Sequence, residues 1–445
     1  MDKYEVLKKW FGYDGFRPGQ EEIIDSIVSG RDTLALLPTG GGKSICFQVP
    51  GLMMDRPVLV LSPLISLMQD QVDHLWKQHI GAACLNSHLT RAQYLQVQEE
   101  YRLGNCHFLY AAPERLQRPD FIRFMRQYPP SMVVIDEAHC ISQWGHDFRP
   151  DYLRIAEFVG KLRERPVVAA FTATATPAAQ EDIIRSLALV DPKIIGKSAD
   201  RTNLFWDKEN PADKTRRMLD VLEGRRDQCG IVYCATRNQV ERVTRLLQRH
   251  GYKAARYHAG LTPGERCRTQ DAFLAGDIPL VVATNAFGMG IDKPDVSYVV
   301  HYSMPQNIEG YYQEAGRAGR DGENAYCLLL YSREDYLVQL RMLEREPEEG
   351  NDTGSGEGGP SGGTSDTDVL AWDRHGETLE RKRELLERMW GFCTTDTCLR
   401  KYFLEYFGEE APERCGFCIY CRKMEEGRLP IRLARRLSRY LPRWW

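Results

Sequence analysis

From about residue 20 to 205, short apolar runs rich in Val, Ile and Leu alternate with longer segments whose apolar residues recur at helical spacing. Strands buried on both faces read as near-continuous apolar runs, and the helices that cover them show one apolar stripe. This rhythm therefore predicts βαβ units around a parallel sheet. The strand candidates are Thr33 to Leu37, Val58 to Ser62, Met132 to Asp136 and Val167 to Thr172. The same rhythm restarts after Thr202, with candidates at Gly230 to Cys234, Leu280 to Thr284, Val296 to Tyr302 and Tyr326 to Tyr331, and predicts a second α/β domain. From Glu346 to Asp368 the chain is almost wholly Gly, Ser, Thr, Pro, Asp and Glu, a composition that cannot bury enough apolar surface to order itself. A flexible linker is expected there. A charged helical stretch, Thr378 to Met389, then leads into a cysteine cluster and an arginine-rich tail ending at Trp445.

Composition adds limits to this picture. A length of 445 residues accommodates about three domains at roughly 150 residues each. The hydrophobic share of 42%, the charged share of 27% and a negative mean hydropathy suit a soluble globular chain. The opening MDKYEVLKKW has no apolar segment behind its charges, and no stretch reaches the roughly 18 apolar residues of a membrane span. A cytoplasmic protein without a membrane partner is expected. The net charge of −3 provides no global basic field, so any polyanion must be held by local patches. Eight of the thirteen cysteines (Cys46, Cys84, Cys106, Cys140, Cys229, Cys234, Cys267 and Cys327) are scattered singly and read as free, mostly buried thiols; the other five crowd into residues 393 to 421.

The first strand runs into Pro38-Thr39-Gly40-Gly41-Gly42-Lys43-Ser44 and then a helical pattern, the order that a phosphate-binding loop requires. Glycines let backbone N–H groups converge on phosphates, the helix N-terminus adds its dipole, Lys43 reaches the β- and γ-phosphates, and the Ser44 hydroxyl can hold Mg²⁺. Leu37 stands where the strict form of this loop has its first glycine, so the form here is T-G-x-G-K-S. Downstream, the apolar strand Val133-Val134-Ile135 ends in Asp136-Glu137-Ala138-His139. A carboxylate at a strand's C-terminal end can hold a metal, and its neighbour can orient and deprotonate an attacking water. Asp136 is the metal candidate and Glu137 the catalytic base. Phosphoryl transfer also needs a cation at the γ-phosphate, which a second lobe can supply. Gln313-Glu314-Ala315-Gly316-Arg317-Ala318-Gly319-Arg320 carries two arginines three residues apart, expected on one helical face, and either Arg317 or Arg320 can serve.

Together these elements resemble a superfamily-2 helicase, and further segments resemble the RecQ family within it. Phe11-Gly12-Tyr13-Asp14-Gly15-Phe16-Arg17-Pro18-Gly19-Gln20 is similar to that family's adenine-recognition motif, which implies Tyr13 stacked on adenine and Arg17 and Gln20 bonded to its edge. His139-Cys140-Ile141-Ser142-Gln143-Trp144-Gly145-His146-Asp147-Phe148-Arg149-Pro150 resembles the family's aromatic-rich loop. The likeness implies a DNA-contacting set of Gln143, Trp144, His146, Phe148 and Arg149, with the aromatics as stacking faces for unpaired bases. Segments from Ser62 to Gln71, Phe171 to Thr176, Tyr257 to Leu261 and Thr284 to Asp292 fit the same family. By resemblance the first and third track DNA, the second couples hydrolysis to domain movement, and the fourth adds Gly288 and Asp292 to the nucleotide set. Gln313 joins the catalytic residues on the same ground.

Cys398 is followed after sixteen residues by Cys415, Cys418 and Cys421, four thiolates suited to tetrahedral Zn²⁺. The intervening Leu399 to Glu409 resembles the helix of the RecQ zinc module, which supports Cys398 as the fourth ligand, with Cys393 as its rival. An Fe–S cluster is the competing cofactor. The resemblance implies two tandem RecA-like parallel-sheet domains at 1–205 and 206–345, a linker at 346–368, a small helical zinc-binding module at 369–425 and a basic amphipathic tail at 426–445. That tail could lie on DNA, dock on a partner or pack back on the body. RecQ enzymes commonly continue into winged-helix and further helical domains, so a short form lacking both is expected.

The implied function is an ATP-dependent DNA helicase using ATP, Mg²⁺ and Zn²⁺, moving 3′→5′ on single-stranded DNA and unwinding duplexes in repair, recombination or replication. Implied partners are single-stranded, forked or tailed DNA and single-strand-binding or recombination proteins. A DNA-stimulated ATPase switch with little strand-separating activity stays open as an alternative, as does an RNA helicase, against which the aromatic loop argues.

Overall fold

The computed structural model describes residues 1–38, 40–63, 65–86, 89–142, 148–196, 198–288, 293–345 and 366–427, and only the backbone of residues 65, 66, 345 and 366–378. The chain divides into two compact units, the first built on Met1–Arg201 and the second on Thr202–Phe287 and Asp295–Tyr402; Phe403–Ala411 groups with the first and the segment from Pro412 with the second. The boundary expected after residue 205 therefore moves to Arg201, because the first strand of the second sheet already begins at Leu204.

In the first unit β1 (Thr33–Leu36), β2 (Val58–Leu61), β3 (Ala82–Leu85), β4 (Phe108–Ala111), β5 (Met132–Ile135), β6 (Val167–Thr172) and β7 (Lys193–Gly196) form a sheet in the order β3-β4-β2-β5-β6-β1-β7. Every pairing is parallel. Successive residues of a strand enter opposite cores: Leu59, Leu61, Val133 and Ile135 pack on one side, and Val58, Val60, Met132 and Val134 on the other. Both faces are buried, which is why these strands are apolar without alternation. The strands that the apolar pattern does not single out, β3, β4 and β7, are four residues long, and β7 is an edge strand with half of its residues exposed.

At the start of β1, Asp32 is 2% exposed. Its carboxylate accepts from Val168 N at 2.9 Å and Val190 N at 2.8 Å, and forms a two-pronged pair with Arg165 at 3.0 and 2.5 Å. One side chain thereby ties the beginnings of β1 and β6 to the turn ahead of β7.

The second unit repeats the design. β8 (Leu204–Glu209), β9 (Cys229–Tyr233), β10 (Ala254–Tyr257), β11 (Leu280–Ala283), β12 (Val296–His301) and β13 (Ala325–Leu330) form a parallel sheet ordered β10-β11-β9-β12-β13-β8. Counted from the first strand of each unit, both sheets run third, fourth, second, fifth, sixth, first. Edge strand β8 is covered by the cysteine-rich segment: Trp206 bridges Cys418, Phe417 meets Phe205 edge-on at 5.3 Å, and Arg422 lies 4.3 Å over the Phe205 ring. Covering an edge in this way blocks stray strand pairing.

From β8, Lys208 donates to the carbonyls of Phe392 (2.8 Å), Cys393 (2.9 Å) and Thr395 (2.6 Å) at the end of the helix Asp366–Thr394. A half-buried cation thus satisfies carbonyls that a helix C-terminus leaves without partners. Burial pushes the ammonium down to about 8. The helix begins at Asp366, so the last three residues of the expected linker belong to it; Asp and Thr are residue types that suit a helix start as well as a loop. The rest of that linker, residues 346–365, and the tail from 428 to 445 lie outside the described residues. Among the described residues, no helix is long and apolar enough to cross a membrane.

Candidate nucleotide site and metal centre

The loop between β1 and the helix Lys43–Met53 is built by its glycines. Gly40 and Gly42 have φ of +80° and +76°, which side chains rarely adopt. A Cβ on Gly41 would stand 2.8 Å from Pro38 O, and one on Gly42 would collide with the Gln20 amide. No side chain caps the helix at Gly42, so its first N–H groups remain available to an anion. The loop is braced from outside: Arg17 Nη1 donates to Gly40 O at 2.8 Å, and Gln20 Nε2 to Gly41 O and Gly42 O at 3.2 Å each. Gln20 Oε1 accepts from Arg17 N at 2.8 Å. Two residues expected to read a base thus hold the phosphate loop, while Tyr13 is 56% exposed beside them in sequence. Thr39 lies outside the described residues.

Two strands over from β1, with β6 between them, β5 ends at Ile135 and delivers Asp136 and Glu137 to the same edge of the sheet. Asp136 is fixed through its backbone by Leu61 O (2.9 Å) and Tyr152 Oη (3.1 Å), and its Oδ2 accepts from Ser62 Oγ at 3.2 Å. Glu137 has φ +49°, a conformation unusual for a side-chain-bearing residue and often found where function demands it. Its carboxylate stands 3.4 Å from Lys43 Nζ and 3.3 Å from His139 Nδ1, and that imidazole nitrogen is also 3.1 Å from Thr172 Oγ1 at the end of β6.

The adjacent acids titrate apart. Burial first, and then the charge of Glu137, push Asp136 up to about 6. Burial acts upward on Glu137 too, but the Lys43 ammonium and His139 outweigh it and hold the carboxyl below its usual range. Burial disfavours the charged form of His139, yet the Cys140 sulfur and then Glu137 raise it to about 10. Two neighbouring carboxyls with opposed shifts are suited to divided acid, base and ligand work. Lys43, Asp136 and Glu137 are therefore brought together, and Ser44 sits half-buried in the first turn of the helix behind Lys43. Ser62, Tyr152 and Thr172 complete the site; the sequence assigns Tyr152 no role and carries Ser62 and Thr172 only inside the segments expected to track DNA and to couple hydrolysis to domain movement. Their signal is strand order: β2 pairs with β5, so Ser62 follows Leu61 just as Asp136 follows its partner Ile135.

In the second unit Gln313 lies on the helix Ile308–Ala315, but Arg317 and Arg320 lie beyond its end, in turns. The expected shared helical face is corrected by the two glycines of the segment. Gly316 caps the helix, and Gly319 takes φ +58°, where a Cβ would press on Glu323 O at 2.7 Å and on the Asn203 amide. Asn203 Nδ2 clamps the turn by donating to Gly319 O and Glu323 O, both at 2.8 Å. Gly288 follows Phe287 at φ +150°, and Asp292 lies outside the described residues.

Of the aromatic-rich segment, Gln143, Trp144 and His146 lie outside the described residues. Phe148 and Arg149 are half-buried. Arg149 is anchored through its N–H to Cys140 O (2.8 Å) and through Nη1 to Pro63 O (3.1 Å), and Ser142 Oγ donates to Asp182 Oδ2 at 2.7 Å on the near side.

The sulfur atoms of Cys398, Cys415, Cys418 and Cys421 all lie within 4.8 Å of one another. The Cys415–Cys421 and Cys398–Cys418 separations are both 3.9 Å, against about 3.8 Å for the edge of a tetrahedron with Zn–S bonds of about 2.3 Å. Phe417 N donates to Cys415 Sγ at 3.3 Å, as a thiolate ligand requires of its surroundings. These four residues fit zinc. Cys393 is buried at the end of the helix Asp366–Thr394, outside this group. Of the scattered cysteines, only Cys267 is exposed.

Residues 17–183 match the DEAD/DEAH box helicase family, 213–322 the helicase conserved C-terminal domain and 335–422 the RecQ zinc-binding domain. A probable ATP-dependent DNA helicase, RecS of Bacillus subtilis (strain 168), is 43% identical over 347 residues, or 77% of this chain and 69% of that protein. The chain belongs to the RecQ helicase family. Within it, the ATP-dependent DNA helicase RecQ of the same organism is 39% identical over 417 residues, 94% of this chain, and the chain spans 66% of that RecQ's length. Among solved structures, the DUF1998 helicase MrfA bound to DNA and AMPPNP superposes with a TM-score of 0.64 over 86% of this chain and 56% of that one, at 19% identity, a likeness of fold. The two parallel-sheet units are accordingly RecA-like, and the RecQ zinc-binding match takes in all four clustered thiols.

Proposed function

We propose that this chain is the motor of an ATP-dependent DNA helicase that moves 3′→5′ along single-stranded DNA and unwinds duplexes. The observation that carries the proposal is the meeting of Lys43, Asp136 and Glu137 at the C-terminal edge of a parallel sheet, in a chain of the RecQ family. Lys43 and Glu137 pair with each other at 3.4 Å. An incoming triphosphate competes for the Lys43 ammonium, and exchange of that partner frees the ionised Glu137 to orient and deprotonate the attacking water. Gln20 and Arg17 couple recognition of adenine to the loop, because both already touch its glycine carbonyls, and Tyr13 supplies the stacking face. Asp136 and Ser44 hold Mg²⁺, which neutralises charge on the phosphates when bound. Arg317 or Arg320 supplies the cation for the transition state, with Gln313, Gly288 and Asp292 completing the set. Gln143, Trp144, His146, Phe148 and Arg149 contact unpaired bases and backbone.

The natural setting of this activity is the cytoplasm, in repair, recombination or replication, on forked or tailed DNA alongside single-strand-binding or recombination proteins. The test is direct: Lys43→Ala abolishes DNA-stimulated ATP hydrolysis and fork unwinding. Wild-type turnover that DNA does not raise sinks the coupled-motor reading. Stimulated turnover without strand displacement on any fork leaves a DNA-dependent switch in its place, and preferential stimulation by RNA moves the substrate class.

A further inference from the structure

The helix Arg237–Arg249, between β9 and β10, buries Val240, Val243, Thr244 and Leu247 against the second sheet. On its other side Asn238, Arg242, Arg245 and Arg249 are all exposed. At about 100° per residue these four fall within an arc of about 60° opposite the core, a straight stripe along the helix. Glu241, the one acid in the helix, is engaged at the flank, 2.9 Å from Arg256 and 3.0 Å from His258. Among the described residues, no carboxylate pairs with Arg242, Arg245 or Arg249. Arg245 Nε donates to Glu241 O at 3.1 Å, which directs the rest of its guanidinium outward. Past the helix end, exposed Arg226 is held 4.5 Å over Tyr252 and donates to His250 O at 3.3 Å, and Lys253 is exposed nearby. In a chain of net charge −3, this run of unpaired cations is a local feature rather than a share of a uniformly basic surface.

We propose that this helix face is a second DNA-contacting surface that takes the sugar–phosphate backbone of the duplex part of the substrate; the inference rests on the DNA-motor reading above. Duplex is the occupant for two reasons. Single-strand surfaces combine cations with aromatic platforms for the bases, and this stripe carries no aromatic side chain. A rigid helix also matches a rigid strand. Arg242 to Arg249 spans about 10 Å at about 1.5 Å per residue, and a duplex strand presents a phosphate every 3.4 Å or so along its axis, so the three arginines can neutralise about three phosphates. Guanidinium groups suit this contact, which reads charge and not sequence.

The experiment measures binding of the full chain to labelled blunt duplex and to single strand, by fluorescence anisotropy, between about 50 and 200 mM salt. For Arg242→Ala/Arg245→Ala/Arg249→Ala the slope of log affinity against log salt on duplex falls by about 2.7, at about 0.9 per phosphate contact, and duplex affinity drops at least ten-fold at the lowest salt. Single-strand affinity and single-strand-stimulated turnover stay within about two-fold, because no stacking contact is touched. The Lys-for-Arg triple variant retains most of the slope, and Ala is a good helix former, so thermal unfolding is unchanged. An unchanged duplex slope overturns the proposal and leaves the face to an acidic protein partner; an equal loss on single strand, or a Lys triple as weak as the Ala triple, overturns it as well. Wild-type chain that binds neither DNA refutes the motor reading itself, a result distinct from all of these.

Discussion

Ser62→Ala tests the electrostatics of the acid pair with one atom. Ser62 is 2% exposed, so Ala fits its place, and the change removes the Oγ donor 3.2 Å from Asp136 Oδ2. A hydrogen bond to a charged group contributes about 1.5 to 3 kcal/mol, and at this length the lower figure applies, close to a ten-fold factor or one pKa unit. Burial first and then Glu137 raise Asp136 to about 6, opposed by Lys43 and, last, by Ser62, so losing Ser62 raises its proton affinity further by about that ten-fold factor. Mg²⁺ requires the ionised carboxylate, and protons compete with it below the pKa. The ionised fraction then falls from about a half to about a tenth at pH 6, but is nearly unchanged at pH 8. In a Mg²⁺ titration of DNA-stimulated ATP hydrolysis, the variant needs about five-fold more Mg²⁺ at pH 6, about two-fold more at pH 7 and no more at pH 8, with turnover at saturating Mg²⁺ retained. An equal Mg²⁺ requirement in both proteins at pH 6, or a loss of the same size at every pH, refutes the reasoning.

Two further outcomes concern the scaffold. Asp32→Ala strands the buried Val168 N–H at about 1 to 3 kcal/mol and the part-buried Val190 N–H at less, while half-exposed Arg165 turns to water, so the first unit loses about 2 to 4 kcal/mol in urea unfolding; a loss under about 1 kcal/mol contradicts the clasp. Cys418→Ser lowers bound zinc well below one per chain and uncovers β8 at Phe205, seen as increased binding of a hydrophobic dye, whereas Cys393→Ser keeps one zinc; the reverse pattern, or iron in place of zinc, overturns the assignment of the four thiols.

The elements most legible in the sequence were those under the strongest local constraint. Strands buried on both faces, such as β2 and β5, announce themselves as unbroken apolar runs, and the glycine loop requires its residue types for backbone reasons alone. β3 is built of Ala and Cys with a single Leu, and edge strand β7 buries only Ile195, so neither presents a run of Val, Ile or Leu. The arginine pair lies past a helix end that residue spacing does not register, because Gly316 closes the helix and Gly319 turns the chain at positive φ. The linker ends three residues earlier than its composition implies, because Asp and Thr suit both a loop and a helix start.

The sequence by itself determined two α/β units, the phosphate loop with Lys43, the acid pair after an apolar strand and four cysteines at ligand spacing, because each follows from residue types at short separation along the chain. Only the tertiary structure decided which distant residues meet. That Ser62 bonds Asp136, that His139 and Lys43 share Glu137, and that Arg17 and Gln20 hold the loop's glycine carbonyls all depend on a strand order that no local pattern encodes. The same holds for Lys208, whose three carbonyl partners lie more than 180 residues away. Polar side chains acquire a role from what burial leaves them to bond, and burial is a property of the assembled fold.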